Sequence, residues 1–352
     1  MSVISLFLCF IITAGVLAAL RPAAKKLGLL DVPGGRKSHK IPTPLIGGLG
    51  IYIGLLSMAM LTPGVFDQYA GLLAISSIVL LVGIVDDAYQ LNVYYRFATH
   101  GLCALFMAVA MNNQLLSFGN IVGLGVVNLG ILAIPLTLFC CVGVINAINM
   151  ADGMDGLSGG LVLISLCFLG LVAFLAQQVL MVQLIILLSC ALLAFLAFNF
   201  RLPWNKSAVV YLGDAGSTML GFIVAWLVIE ATQGSTAIMA PVYALWFLAV
   251  PLMDTVSLLI KRPLQGRSPF QPGTDHLHHR LHQSGYSHKQ IVLGLYIAAI
   301  GFGGIGFLGY YAQVSEALMF AAFMSIFVIY MNWNRLWAAT FAKNGQASTI
   351  EN

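Results

Sequence analysis

The sequence predicts an all-α, polytopic integral membrane protein, and three observations carry that prediction. The 352-residue chain is 60% hydrophobic and only 8% charged, with a mean hydropathy of +0.95, far from the balance of a water-soluble domain. Its apolar residues come in long runs between short polar breaks and lack the alternation of barrel strands, so in lipid they must satisfy their backbone groups as helices. Its 16 Lys and Arg residues fall on alternate breaks, the asymmetry of a chain threaded through a bilayer.

A hydrocarbon core of roughly 30 Å takes about 20 apolar residues per helix. On that measure the chain reads as eleven transmembrane helices near 2–20, 45–62, 70–85, 96–111, 130–149, 158–176, 180–198, 215–231, 237–260, 290–309 and 315–333, the third and fourth being short. The first has no basic residues before it and is followed by Arg21, Lys25 and Lys26, which fits an uncleaved helix better than a signal peptide. Counting the bordering Arg96 with its loop, every Lys and Arg lies in the odd-numbered loops or the C-terminal tail, and 63–69, 112–129, 177–179, 232–236 and 310–314 hold none. The positive-inside rule then sets the N-terminus in the periplasm and the C-terminus in the cytoplasm. That arrangement is expected for a multi-pass protein of the bacterial inner membrane.

One catalytic domain over 1–333 is expected, with cytoplasmic loops at 21–44, 86–95, 150–157, 199–214 and 261–289 and a short tail at 334–352. No internal repeat of the transporter kind is visible. The six cysteines lie in predicted spans without metal-ligand spacing and read as packing residues. Trp204, Trp226, Trp246, Trp333 and Trp337 read as an interfacial belt. A net charge of +4, gathered on one face, favours anionic lipids and anionic substrates, and nothing points to nucleic acid.

The polar clusters gather on that same face. Asp86-Asp87 closes the third span; adjacent carboxylates at a membrane edge need a cation or a shared proton, unless they are simply solvated. In the stretch from Asn146 to Leu157, steps of three place Asn146, Asn149 and Asp152 on one helix face, and Gly153 and Gly156 let the backbone approach a ligand around Asp155. Carboxylate and amide oxygens suit magnesium. Gly213-Asp214-Ala215-Gly216-Ser217 runs into the eighth span, offering N–H groups to phosphate and an Asp to a metal, with Asn199 and Arg201 just upstream. His276, His278, His279 and Arg280 end a loop containing Lys261, Arg262 and Arg267; with acids elsewhere on the face, anion binding is favoured over zinc. Arg96 and His100 add positive charge beside the Asp pair. Asp254, inside the ninth span, reads either as a buried partner of the site or as a hydrogen-bonded structural acid. Glu230, at the outer boundary, is expected to be solvated.

In their order and on their common face, these motifs resemble those of the polyprenyl-phosphate N-acetylhexosamine-1-phosphate transferase superfamily. Lys37-Ser38-His39-Lys40 with Pro42-Thr43-Pro44 and Gly47-Gly48 is similar to its first cytoplasmic loop, and the likeness covers about 20–290. Glu230 to Gly234, Ala244 to Trp246, Pro251 to Asp254 and Ser268 to Phe270 resemble the bacterial branch that acts on UDP-GlcNAc. The translocase branch shows three consecutive His where this chain has His276-Leu277-His278-His279. Gln90 departs from relatives that carry a further acid at that position.

The resemblance implies transfer of GlcNAc-1-phosphate from UDP-GlcNAc to undecaprenyl phosphate with release of UMP, a first membrane step of O-antigen or common-antigen synthesis. It implies Mg2+, with Mn2+ able to substitute, held by Asp214 and Asn149 with Asp152 close. It implies Asp86 as base with Asp87 assisting, a covalent carboxylate route being the older alternative. Asp155 is implied near the uracil. Asn146, Asn199 and His276 are implied in substrate binding, and Arg96, His278, His279 and Arg280 near phosphates. A homodimer, another UDP-N-acetylhexosamine donor and, from a different class, a secondary transporter stay open.

Overall fold

The computed structural model describes residues 2–32, 42–201, 207–268, 273 and 275–343, with 333–343 by backbone only. Lys37 to Lys40, Trp204 and Phe270 therefore lie outside the described residues, as do the side chains of Trp333 and Trp337. A helix occupies each of the predicted apolar runs: α1 (Val3–Ala24), α2 (Gly47–Leu61), α3 (Val65–Tyr89), α4 (Val93–Val109), α5 (Ala133–Met150), α6 (Leu157–Leu175), α7 (Val179–Asn199), α8 (Gly213–Thr232), α9 (Pro241–Phe247) with α10 (Ala249–Leu264), α12 (His288–Tyr311) and α13 (Glu316–Lys343). A short α11 (Leu277–Gln283) lies in the last long loop. Leu30–Asp31 and Thr43–Pro44 pair antiparallel as a minimal sheet. By length and composition seven of the described helices can cross a membrane, eight if α9 and α10 make one bent crossing.

The expected continuous ninth span is instead broken, with a 92° bend between α9 and α10. Pro251 has no N–H to give the carbonyl one turn back, at Phe247, and its ring crowds that carbonyl. Ser165 Oγ donates to the Phe247 carbonyl instead, at 2.7 Å, so the break leaves no orphaned acceptor there. The third span is longer than expected: α3 starts at Val65 and carries Asp86 and Asp87 in its last turn, ended by Gln90 in the left-handed region (φ 53°).

The central helix is α8, with 89% of its apolar window buried. Lipid tails are as apolar as leucine, so helices associate in a bilayer through close packing rather than a hydrophobic drive. Glycines allow that closeness. A Cβ at Gly221 would sit 2.6 Å from Ile145 Cα of α5, and Cβ atoms at Gly83 of α3 and Gly48 of α2 would overlap the backbone of Ala215 and Gly216. Around this centre α1 and α7 pack on α2, α6 on α7, α12 on α6 and α9, and α13 on α9.

Two expectations about polar and aromatic residues are corrected here. Glu230 is not simply solvated: it accepts from Tyr69 Oη at 3.3 Å and Trp226 Nε1 at 3.2 Å. Trp246 is core rather than belt, 1% exposed and set edge-on to Phe323 at 5.5 Å.

The glycine crossings predict a steep size limit. Gly83→Val should cost about 1–3 kcal/mol, the usual range for overpacking, and lower the melting temperature of the purified protein. Gly294→Val, at a position with open space around it, should leave that temperature unchanged in the same thermal scan.

Candidate active site

The site is built where α3 ends and α8 begins. Asp87 accepts the backbone N–H of Asp214 at 2.8 Å on one oxygen and that of Ala215 at 3.1 Å on the other. A helix N-terminus leaves its first N–H groups unpaired and carries partial positive charge, so a carboxylate from a neighbouring helix serves as its cap. Asp86, 4% exposed, accepts from Leu91 N at 2.8 Å and from Arg96 Nη1 at 2.6 Å. The same Arg96 nitrogen reaches Asp214 Oδ2 at 3.0 Å. Asn149, from the end of α5, donates to Asp214 Oδ1 at 2.7 Å and to Ser217 Oγ at 2.9 Å. Three helix ends and the first turn of α4 thus share one bonded cluster.

The turn between α5 and α6 holds the second group. Asp152 lies outside the helices, and burial first, then the charges of Asp214, Asp87 and Asp155, push its carboxyl well above the usual carboxylate range. Asp155 accepts from Arg201 Nε at 2.7 Å and from Ala208 N at 3.4 Å. Gly156, at φ +83°, is held from both sides. Its N–H donates to Asn199 Oδ1 at 2.6 Å, and its carbonyl accepts from the Tyr296 hydroxyl. Asn199 Nδ2 also donates to Val210 O at 2.8 Å. Asn199 thus braces the backbone from both ends of its amide and positions the turn. Asn146 donates to Val142 O of its own helix at 2.7 Å and takes no part in the bonded cluster.

The His-bearing segment is a helix hung on Asp254. That carboxylate accepts from Leu277 N at 2.9 Å, from Tyr330 Oη at 3.1 Å, and pairs with His276 Nδ1 at 2.9 Å. Asp254 is both a hydrogen-bonded acid and a supporter of the site, so the two readings of it merge. Arg262 forks onto Asp275 at 2.6 and 3.0 Å, and that guanidinium holds the Asp275 carboxyl down at about 2. His278 is 3% exposed and packs so closely on Gly153 that any Cβ there would overlap its ring. Burial, then the neighbouring charge of His279, pulls His278 down to about 3. It is therefore a neutral imidazole covered by the α5–α6 turn. Burial also lowers His279, and Arg280 follows it on the same helix.

The structure thus joins Asp86, Asp87, Arg96, Asn149 and Asp214 directly, sets Asp152 within their field, and packs His278 against the same turn. Arg96 faces the carboxylates of Asp86 and Asp214 here. Tyr296 and Tyr330 escaped the sequence reading because each lies inside an ordinary apolar run with no local signal. Among the described residues no three His, Cys, Asp or Glu side chains form a ready metal cage. The donor chemistry nevertheless fits a hard cation, since magnesium is usually held by one or two carboxylates with substrate phosphates completing its shell. Asn149 Oδ1 and the Asp152 carboxylate accept no bond among the described residues.

Comparison with known proteins places the chain in a family. Residues 69–232 match the model of glycosyl transferase family 4, the stretch from the start of α3 to the end of α8. An Escherichia coli protein is 36% identical over 326 residues, 91% of this chain and 88% of its own. The chain belongs to this family. The Escherichia coli relative is an undecaprenyl-phosphate alpha-N-acetylglucosaminyl 1-phosphate transferase. Relatives of the same name from Haemophilus influenzae (34% identical; 93% of this chain, 92% of theirs) and Yersinia pestis (31%; 91% and 88%) match along nearly the same length.

The two asparagines of the turn should separate in a stability measurement. Asn199→Ala leaves the Gly156 N–H and the Val210 carbonyl without their partner, at about 1–3 kcal/mol per unsatisfied buried group, and should lower the melting temperature clearly. Asn146→Ala removes only a bond within its own helix and should shift it little.

Proposed function

We propose that this protein transfers GlcNAc-1-phosphate from UDP-GlcNAc to undecaprenyl phosphate, giving undecaprenyl-pyrophosphoryl-GlcNAc and UMP. The observation that carries this reading is the cluster at the α3–α8 junction, where Asp86, Asp87 and Asp214 meet one guanidinium and an amide at the ends of apolar helices. The names of the family relatives support the same acceptor and the same transferred group. Such a site suits a reaction between a lipid whose tail stays in the bilayer and a polar nucleotide sugar.

The chemistry needs little from the protein beyond position and charge. An oxygen of the lipid phosphate attacks the phosphorus that bears GlcNAc; the bond from that phosphorus to the bridging oxygen breaks, and UMP leaves with its electron pair. Arg96 holds Asp86 in readiness. An incoming lipid phosphate competes for that guanidinium and frees Asp86 to accept the phosphate proton. Asp87, with both oxygens on the α8 N-terminus, positions Asp214 rather than moving a proton. Asp214 and Asn149 Oδ1, with Asp152 beside them, would hold Mg2+ or Mn2+, which when bound neutralises charge on the donor pyrophosphate. Arg280 and Arg201 supply cationic groups for phosphates, and Asp155, paired with Arg201, would lie near the uracil. The N-terminus would be periplasmic and this end of the helices cytoplasmic.

Purified protein given magnesium and undecaprenyl phosphate should release UMP from UDP-GlcNAc and not from UDP-MurNAc-pentapeptide. Release only with a different UDP-N-acetylhexosamine would move the donor assignment, and silence with every UDP-sugar would reject the reaction. Asp214→Asn should lower turnover by about 100-fold or more, the scale of losing one charge-stabilising group. Chelation by EDTA should stop the reaction and added Mg2+ or Mn2+ restore it; full turnover in chelator would remove the cation from the site. The orientation is checked by impermeant maleimide on whole cells. Asp67→Cys should react from outside and Leu264→Cys, 82% exposed in the native chain, only after permeabilisation.

A further inference from the structure

We infer that the hairpin between α4 and α5, at the end of the molecule opposite the catalytic cluster, inserts its apolar tip into the adjoining lipid leaflet. The segment from Met111 to Leu129 has no charged residue, and from Ile121 to Val127 no polar side chain at all. It is nonetheless built as a firm structure. Phe118 N donates to Val127 O at 3.0 Å, Val127 N to Gly119 O at 2.8 Å and Leu129 N to Leu116 O at 2.9 Å, while Asn120 Oδ1 accepts from Gly125 N at 2.9 Å.

Its base is bolted to three helices. Gln233, just past α8 and 7% exposed, accepts from Leu116 N and Ser117 N at 2.9 and 3.1 Å and donates to Ser117 O at 3.1 Å. Leu115 N donates to Thr137 Oγ1 of α5 at 2.8 Å, and Asn120 N to Glu316 Oε2 of α13 at 2.7 Å. The hairpin is thus held out rather than left to fold back on the protein. Its tip is bare: Val122 is 57%, Leu124 93% and Val126 58% exposed.

The occupant follows from what the tip adjoins. Gly123 faces Ala317 in the first turn of α13, where a Cβ would sit at an ordinary 3.5 Å, and the next residue, Leu318, is itself 61% exposed. On the other edge Ile131 and Leu132 lead into α5, whose Phe139 stands 69% exposed on a membrane-length apolar helix. The apolar surface of the tip therefore continues, on both sides, into exposed faces of apolar helices. The interface with a water-soluble partner usually carries a polar rim, whereas Ile121 to Val127 offers no polar side chain. Small exposed apolar surfaces at a bilayer boundary partition into it.

The test uses the full chain, one copy per lipid nanodisc, carrying Leu124→Trp; the parent spectrum is subtracted to remove the five native tryptophans. Acyl-chain-brominated lipid should remove at least half of the added emission, while iodide in the water leaves it nearly unchanged. Quenching by iodide and not by brominated lipid would put the tip in water and overturn the proposal. Shielding from both would mean that protein covers the tip, which overturns it equally. Val122→Trp gives an independent reading, and UMP release by each variant shows that it is folded.

Discussion

The pairing of Asp87 with the first N–H groups of α8 is the joint on which the rest depends. A buried helix begins with donors that nothing in its own backbone can satisfy. Here they are met by a carboxylate from the last turn of α3, and the helix so capped is the one around which α2, α3 and α5 pack. The same joint fixes where Asp214 stands, one residue into α8. The fold and the chemistry therefore share a constraint: α3 and α8 must meet closely enough for Gly83 to lie against Ala215, and only then do the carboxylates converge.

Convergence brings an electrostatic load. Asp86, Asp87, Asp152 and Asp214 face one another with Arg96 as the single cation bonded among them in the described residues. Like charges in a poorly solvated pocket disfavour ionisation, and the backbone N–H groups on Asp87 and the amide on Asp214 ease only part of that. A site in this condition is tense in a useful way. It binds positive charge readily, and it holds a guanidinium that an incoming phosphate can claim. The surrounding turn stays rigid because Gly156 is gripped at both N–H and carbonyl.

Much of this was legible in the sequence. The apolar runs foretold the helices because lipid leaves a backbone few other choices, and the gathering of Asp, Asn, His and Arg at one end followed from counting breaks. What escaped reading depended on partners far along the chain. Glu230 looks solvated until Tyr69, 161 positions away, is found on it. Asn199 sits among the expected ligands yet spends both polar ends on backbone. The burial of His278 was not readable either, because nothing local reveals that Gly153 will receive its ring. The break at Leu248 was readable in principle, since Pro251 cannot continue the bond to Phe247, but an unbroken apolar run masked it.

Asp254 gives the assembly of the protein an order in time. Its three partners come from two places: His276 and Leu277 from the segment after α10, and Tyr330 from α13, 76 positions beyond Asp254. A chain emerging from the ribosome can insert every earlier span and still lack the hydroxyl that completes this anchor. The His-bearing helix is therefore secured only after α13 has joined the bundle. A protein in the membrane without α13 has its acidic cluster but lacks the hydroxyl that completes this anchor.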